Sequence, residues 1–492
     1  MDLTNPATAL VVGESLSIRE ALAPLDSHGL GFLMVVASAG ELVGVLTDGD
    51  IRRALLRGIT PDDPVSSAMR KDFVSLPLTA SPSDINRALS ERIAFVPLLD
   101  AAGRPVDYAG HTRHRRFPVA EPLLDGNEAE YLLECVRTGW ISSQGPFVAT
   151  FEHLVADYHD MPFALAVTNG TAALHLALVS LGIGPDDEVI VPDFTFAATA
   201  TAVLHAGATP VFVDVDPVTW TLDVEAVERA TTERTRAIIP VHIYGHPCDM
   251  PPLVDLARER DLLLIEDVAE AFGARARGGL VGTFGDAACF SFYGNKTITT
   301  GEGGMILFSD EASYNRAAML RDHGMSRERR YWHLEAGFNY RLTNVQAAIG
   351  TAQMERVAPI LERKRTLAER YTSGLDGTPG IVRPPRAAWA EPVCWLYTVR
   401  VDEDLGMTRD ELAERLLVSG IETRPVFPPL HEMPPFKRFA RGSFPVTELL
   451  ASTGLTLPSG VTLRDDDVDA ITTTLRGIVD VRRMHVAVRG ET

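Results

Sequence analysis

From Asp125 onward, short apolar runs alternate with helical stretches, and that alternation leaves few folds open. The runs are Ala164–Val167, Glu188–Val191, Pro210–Val213, Ala237–Val241, Leu262–Ile265 and Ala287–Phe292, with helical patterning at Ala172–Leu181, Ala197–His205 and Met250–Arg260. Largely apolar strands need cover on both faces, which predicts an α/β domain built on a mostly parallel sheet. A polar helix around Val357–Glu369 leads out of it. The remainder reads as a smaller domain, with a strand near Cys394–Val401, a helix near Arg409–Val418 and proline-rich Pro425–Pro435.

Three segments in this frame carry chemistry. Ser291-Phe-Tyr-Gly-Asn-Lys296-Thr-Ile-Thr-Thr-Gly301-Glu-Gly303-Gly304 sets one lysine between an aromatic strand and a glycine-rich turn. An amine attacks an aldehyde only as neutral NH2, so such a lysine needs a partly dry pocket, and the glycines allow close approach of backbone and ligand. Upstream, Ile265-Glu266-Asp267-Val268-Ala269-Glu270 follows the apolar Leu262–Leu264 and places an acid at a strand's carboxyl end, where α/β sheets bind ligands. A buried carboxylate there calls for a cationic partner; a helix N-cap is the other use of Asp267. Earlier still, Val167-Thr168-Asn169-Gly170-Thr171-Ala172 reads as strand, tight turn and helix, whose first N–H groups suit a phosphate.

In this order and spacing, the three segments resemble the DegT/DnrJ/EryC1/StrS family of nucleotide-sugar aminotransferases, fold-type I enzymes dependent on pyridoxal phosphate. The resemblance runs from about Phe117 to the C-terminus. It implies that Lys296 is the Schiff-base lysine and proton carrier and that Asp267 holds the pyridine nitrogen protonated. Glu270 would meet the ring hydroxyl or the sugar, Gly170, Thr171 and Ser291 the phosphate, and Phe196 the face of the ring. Asn339, in Gly337–Ala348, would reach the partner subunit's cofactor phosphate in a homodimer or higher oligomer. The loop His323–His333 is similar to its version in GDP-perosamine synthases. Arg330, Tyr331 and Trp332, with Arg341, are therefore candidates for a sugar diphosphate. Glutamate as donor and a GDP-linked 4-keto-6-deoxyhexose as acceptor are the implied substrates, with UDP- and dTDP-sugars the alternative. A regulatory protein on the same scaffold would need neither Lys296 nor Asp267.

The first stretch patterns differently. Gly31–Ala37 and Leu42–Leu46 suit two buried strands joined at Ser38–Glu41, and Thr47-Asp48-Gly49-Asp50 opens an amphipathic helix reaching Leu56. This α+β segment resembles a CBS module, whose Gly-x-x-Thr-x-x-Asp pattern falls on Gly44, Thr47 and Asp50. In that family the pattern meets the ribose and phosphate of an adenine nucleotide. Such modules come in pairs. A second copy starts near Val65–Met69, with strands at Phe73–Leu76 and Ala94–Leu99, but Val106–Arg116 lacks the Thr-x-x-Asp, so one site per chain is expected. A structural or oligomerising appendage is the competing reading. The basic run Arg113–Arg116 suits an exposed linker. Domains are thus expected at 1–116, 117–365 and 366–492.

Composition excludes several partners. Of 492 residues, 46 are Lys or Arg and 66 are Asp or Glu, a formal charge of −20, which disfavours nucleic acid and anionic membranes. Cys135, Cys248, Cys289 and Cys394 lack paired spacing, so no metal site or disulfide framework is expected. No signal peptide is legible, and no apolar run approaches the ~20 residues that span a bilayer. A cytoplasmic protein is the expectation.

Overall fold

The computed structural model describes residues 10–27, 31–80, 82–90, 93–110 and 117–490. By contacts the chain divides into two compact units. One takes Met1–Phe117 with Leu416–Ile421 and Arg464–Leu475, and the other takes Pro118–Arg415, Glu422–Leu463 and Arg476–Thr492. The first unit thus includes two short segments that the sequence placed in the C-terminal domain.

In the first unit, β1 (Val11–Gly13), α1 (Ile18–Ser27), β2 (Phe32–Val36), β3 (Leu42–Thr47) and α2 (Asp48–Leu56) are followed by β4 (Leu76–Pro77), α3 (Pro82–Ala88), β5 (Phe95–Leu99) and β6 (Pro105–Gly110). β1 runs parallel to β2 and β2 antiparallel to β3; β4, β5 and β6 repeat that arrangement. One strand–helix–strand–strand pattern therefore occurs twice. Phe32 and Phe95, one from each copy, stack at 3.5 Å between ring centroids. The second copy departs from expectation at its start, because pairing with β5 begins only at Leu76. Val65 and Ala68 belong to the core of the first copy, and Met69 fills the space beside Gly44, where a Cβ would lie 2.6 Å from its Sδ. The run Arg113–Arg116 lies outside the described residues.

Asp50 is spent inside this unit. Thr47 and Asp50 form a capping box at the start of α2, with the Thr47 hydroxyl donating to Asp50 Oδ2 at 2.6 Å. Arg53 donates to Oδ1 at 2.5 Å, and Arg70 lies 3.4 Å from the same oxygen. These partners hold the carboxyl below its usual range against the opposing effect of burial.

The second unit opens with α4 (Glu128–Thr138) and α5 (Pro146–His159). Next come β7 (Phe163–Val167), α6 (Gly170–Ser180), β8 (Glu188–Pro192), α7 (Ala198–His205), β9 (Thr209–Val213), α8 (Val224–Ala230), β10 (Thr235–Ile238), α9 (Met250–Glu259) and β11 (Leu263–Asp267). β12 (Ala287–Ser291), β13 (Gly304–Phe308), α10 (Glu311–Arg321) and α11 (Asn344–Glu355) complete the helix-covered sheet. Its seven strands lie in the order β7-β13-β12-β11-β10-β8-β9. β13 alone is antiparallel to its neighbours; the other pairs are parallel. Period-two alternation separates two cores. Leu165, Val167, Ile306 and Phe308 join one, while Ala164, Ala166, Met305 and Leu307 join the other.

The last part packs α12 (Val357–Gly374) with an antiparallel sheet of β14 (Ile381–Val382), β15 (Thr398–Val401), β16 (Arg424–Pro425) and β17 (Gly454–Thr456). Lys364 on α12 is buried there. Its Nζ donates to the Trp395 carbonyl at 2.6 Å and the Ser459 carbonyl at 2.7 Å. Burial pushes its pKa down to about 8, from 10.5. Below pH 8 the amine is charged in both the folded and unfolded chain. Between pH 8 and 10.5 the unfolded chain holds a proton that the native protein has released, so folding gains stability as pH rises. Relative to Lys364→Met, the wild type should gain up to about 3 kcal/mol across that window, read from denaturant midpoints at each pH.

Candidate active site

Ligand-binding edges of α/β sheets lie at the carboxyl ends of the strands, and the candidate residues collect at this one. β7 ends at Val167, β11 at Asp267 and β12 at Ser291; antiparallel β13 starts at Gly304 on the same edge. Gly170, Thr171, Phe196, Asp267, Glu270, Ser291 and Lys296 line one cavity of about 610 Å³.

Asn169 caps α6, its Oδ1 accepting the Ala172 N–H at 2.8 Å. Gly170 and Thr171 are the first two helical residues, and N–H groups in a first turn have no intrahelical partner. A Cβ on Gly170 would lie 2.8 Å from Ser291 Cβ, so only glycine lets this turn settle against the end of β12. The result is an anion cup of helix N-terminus and serine.

Asp267 is buried, with Oδ2 accepting from the Thr199 hydroxyl at 2.8 Å and Oδ1 from the Ala269 N–H at 3.1 Å. Burial raises its pKa, and the hydrogen bonds and the more distant Lys296 and His242 only partly offset this. Among the described residues no cation stands at contact distance from it. A buried carboxylate so placed fits a protonated pyridine nitrogen, and with the anion cup and the lysine it makes the residues present a match for pyridoxal phosphate.

Lys296 Nζ stands 3.6 Å from Glu270 Oε1. Glu270 Oε2 accepts the Tyr244 N–H at 2.8 Å. Burial pushes Glu270 up to about 7 and Lys296 down, with each charge opposing the shift of the other. Burial thereby moves the two pKa values toward each other.

Several wall residues carry no sequence signal. Tyr244, Trp395 and Phe427 form an aromatic bank, Tyr244 lying parallel to Phe427 at 5.3 Å and to Trp395 at 6.1 Å. Phe196, 58% exposed, tilts against Phe427 at 5.6 Å, which leaves one face open for a flat ring. Thr199 on α7 and the pair His175–Tyr340, 3.1 Å apart, were also not foreseen.

The other candidates do not line this chain's cavity. Asn339 is exposed and accepts from Arg341 at 3.1 Å, while Arg341 pairs with Asp322 at 3.0 Å. Arg330 lies over the Tyr331 ring at 4.9 Å, and Trp332 sits under Arg329 at 4.2 Å, both rings more than half exposed.

Residues 122–476 match the DegT/DnrJ/EryC1/StrS aminotransferase family, and residues 4–57 match the CBS domain. The chain is 49% identical over 357 residues to GDP-perosamine synthase of Caulobacter vibrioides, covering 72% of this chain and 96% of that protein. Against GDP-perosamine synthase of Escherichia coli O157:H7 the identity is 44% over 354 residues, 72% of this chain and 95% of that one. The solved structure of DesI in the presence of its TDP-sugar product superposes with a TM-score of 0.71 at 32% identity, over 77% of this chain and 96% of DesI. The chain therefore belongs to the DegT/DnrJ/EryC1/StrS aminotransferase family and is a pyridoxal-phosphate-dependent nucleotide-sugar aminotransferase.

Proposed function

We propose that the protein moves the amino group of glutamate onto the keto carbon of a GDP-linked 4-keto-6-deoxyhexose. The observation that carries the nucleotide is the 49% and 44% identity to two GDP-perosamine synthases over nearly their whole length. DesI, whose structure was solved in the presence of its TDP-sugar product, stands lower at 32%, and dTDP- or UDP-linked sugars are the second reading.

Bound in the cavity, pyridoxal phosphate supplies an aldehyde that takes up the amine and a ring that draws electron density from the carbon losing its proton. Lys296 Nζ carries that proton, and Glu270 Oε1, 3.6 Å away, keeps it close to the amine in each half-reaction. Asp267 would keep the pyridine nitrogen protonated. Gly170, Thr171 and Ser291 hold the phosphate, and Phe196 lies along the ring. Asn339 completes the phosphate site of the other subunit in a homodimer, in keeping with its place outside its own chain's cavity. Within the second unit, the part up to residue 365 would serve as the cofactor domain and the part after it as the small domain. The N-terminal unit takes an adenine nucleotide at Gly44, Thr47 and Asp50 only if the ligand displaces Arg53 or Arg70 from the carboxylate. Four free cysteines suit a reducing cytoplasm.

Three measurements test these assignments. Lys296→Ala should fold and lose turnover by about 10²–10⁴-fold or more, and Asp267→Asn should keep its cofactor yet lose most activity, both read by steady-state kinetics. With ¹⁵N-glutamate and a set of GDP-, UDP- and dTDP-linked keto-sugars, label should enter the GDP-sugar with the highest kcat/KM; a preference for dTDP- or UDP-sugars would displace the GDP reading. Mixing Lys296→Ala chains with chains silenced at Asn339 should restore activity in the heterodimer, because one of its two sites is then intact. No rescue after proven subunit exchange would return Asn339 to its own chain.

A further inference from the structure

The Lys296 ammonium position lies over the face of Trp395, 3.6 Å from the ring centroid, and both the indole and the backbone of Trp395 are fixed by neighbours. Its Nε1–H donates at 2.7 Å to the carbonyl of Asn295, the residue before the lysine. Its own carbonyl accepts from Lys364 Nζ at 2.6 Å. Tyr244 lies parallel to it at an interplanar angle of 9°. Behind it, Gly245 approaches so closely that a Cβ there would be 2.7 Å from the Trp395 nitrogen. Cys394, just before it, is held at φ 45, a conformation that a residue other than glycine keeps only when its surroundings over-determine it. Trp395 is only 4% exposed. A core tryptophan needs a partner for its N–H. It does not need that partner to be the residue next to the reacting lysine, nor a cation on its face.

We propose that Trp395 is a positioning residue for the transfer reaction: its indole face is the seat on which the freed Lys296 ammonium rests between proton uptake and proton return. The attraction of a ring quadrupole for a cation acts on the protonated amine and not on the neutral one. The seat therefore holds the proton on Nζ inside an apolar pocket that would otherwise shed it, and keeps the amine within 3.6 Å of Glu270. Trp395 supports the protonated state from one side and Glu270 from the other. The inference rests on Lys296 as the reacting amine and is independent of which sugar is accepted.

Other charged groups share the space. Glu270 and Asp267 bear on Lys296 directly, and Tyr244, Tyr293, Glu302 and Arg424 line the same cavity, as does the His175–His205 pair. A test must leave all of these in place. Tryptophans carrying one to four ring fluorines, introduced at position 395 by nonsense suppression, weaken the ring quadrupole stepwise with little change in size. In the full-length, cofactor-free protein, the rate at which Lys296 is acetylated by acetic anhydride, followed by mass spectrometry from pH 6 to 11, reports the midpoint of its ammonium. The midpoint should fall with each fluorine, by about one unit in all, which makes Lys296 about tenfold more reactive at fixed pH below the midpoint. Trp395→Phe, with a smaller face and no N–H, should move it in the same direction by less. A midpoint independent of fluorination, or one that rises, overturns the proposal. So does a change confined to the high-pH plateau, since greater access alone scales the plateau and leaves the midpoint in place. The labelling needs no substrate, so its failure leaves the substrate assignment standing.

Discussion

Everything at this site depends on taking two carboxylates and one amine out of water together. Asp267, Glu270 and Lys296 are held in one apolar cavity, and burial works against charge on all three. Isolated there, each group would shift toward its neutral form. Placed 3.6 Å apart, Lys296 and Glu270 answer each other, whereas Asp267 has hydrogen bonds but, among the described residues, no cation in contact. Among the described residues Asp267 thus has no balancing cation, and a pyridinium nitrogen would supply one.

The sheet explains how residues separated by more than a hundred positions meet. Parallel strands deliver their carboxyl ends to one edge, and each following turn points a short polar segment across it. The antiparallel β13 enters without disturbing this, because it begins where its neighbours end. Aromatic residues from the distal segments, Trp395 and Phe427, then close the wall against Tyr244. Lys296 consequently faces Glu270 on one part of the fold and Trp395 on the last.

The sequence made some of this legible and hid the rest for identifiable reasons. Lys296, Asp267, Glu270 and the Gly170–Thr171 cup stand in local segments whose chemistry can be read from a dozen neighbouring residues. The six strand-like runs of the sheet were found within a few residues of their observed limits. β13 was missed because Gly304–Phe308 directly follows the glycine-rich turn and reads as its continuation. Trp395 and Tyr244 could not be found at all. Nothing around them in sequence distinguishes a core aromatic from one lying against a lysine, and that difference is made by chain segments far away. Arg330, Tyr331, Trp332 and Asn339 form a third class, since their residue types were visible while their position, exposed and outside the cavity of their own chain, belongs to the fold.

Asp50 and Asp267 show why a motif alone does not decide a role. Both lie where a strand gives way to a turn, and both could serve as helix caps by residue type. At Asp50 the capping use is realised. The carboxylate closes a capping box with Thr47, and Arg53 and Arg70 take up the remaining oxygen. At Asp267 the donors among the described residues are a threonine hydroxyl and one backbone N–H, too few to balance a buried charge. The same side chain is therefore self-sufficient in one unit and incomplete in the other. Among the described residues two guanidinium groups stand at Asp50 and none at Asp267, so a new donor must displace a charged partner at the first carboxylate and need not at the second.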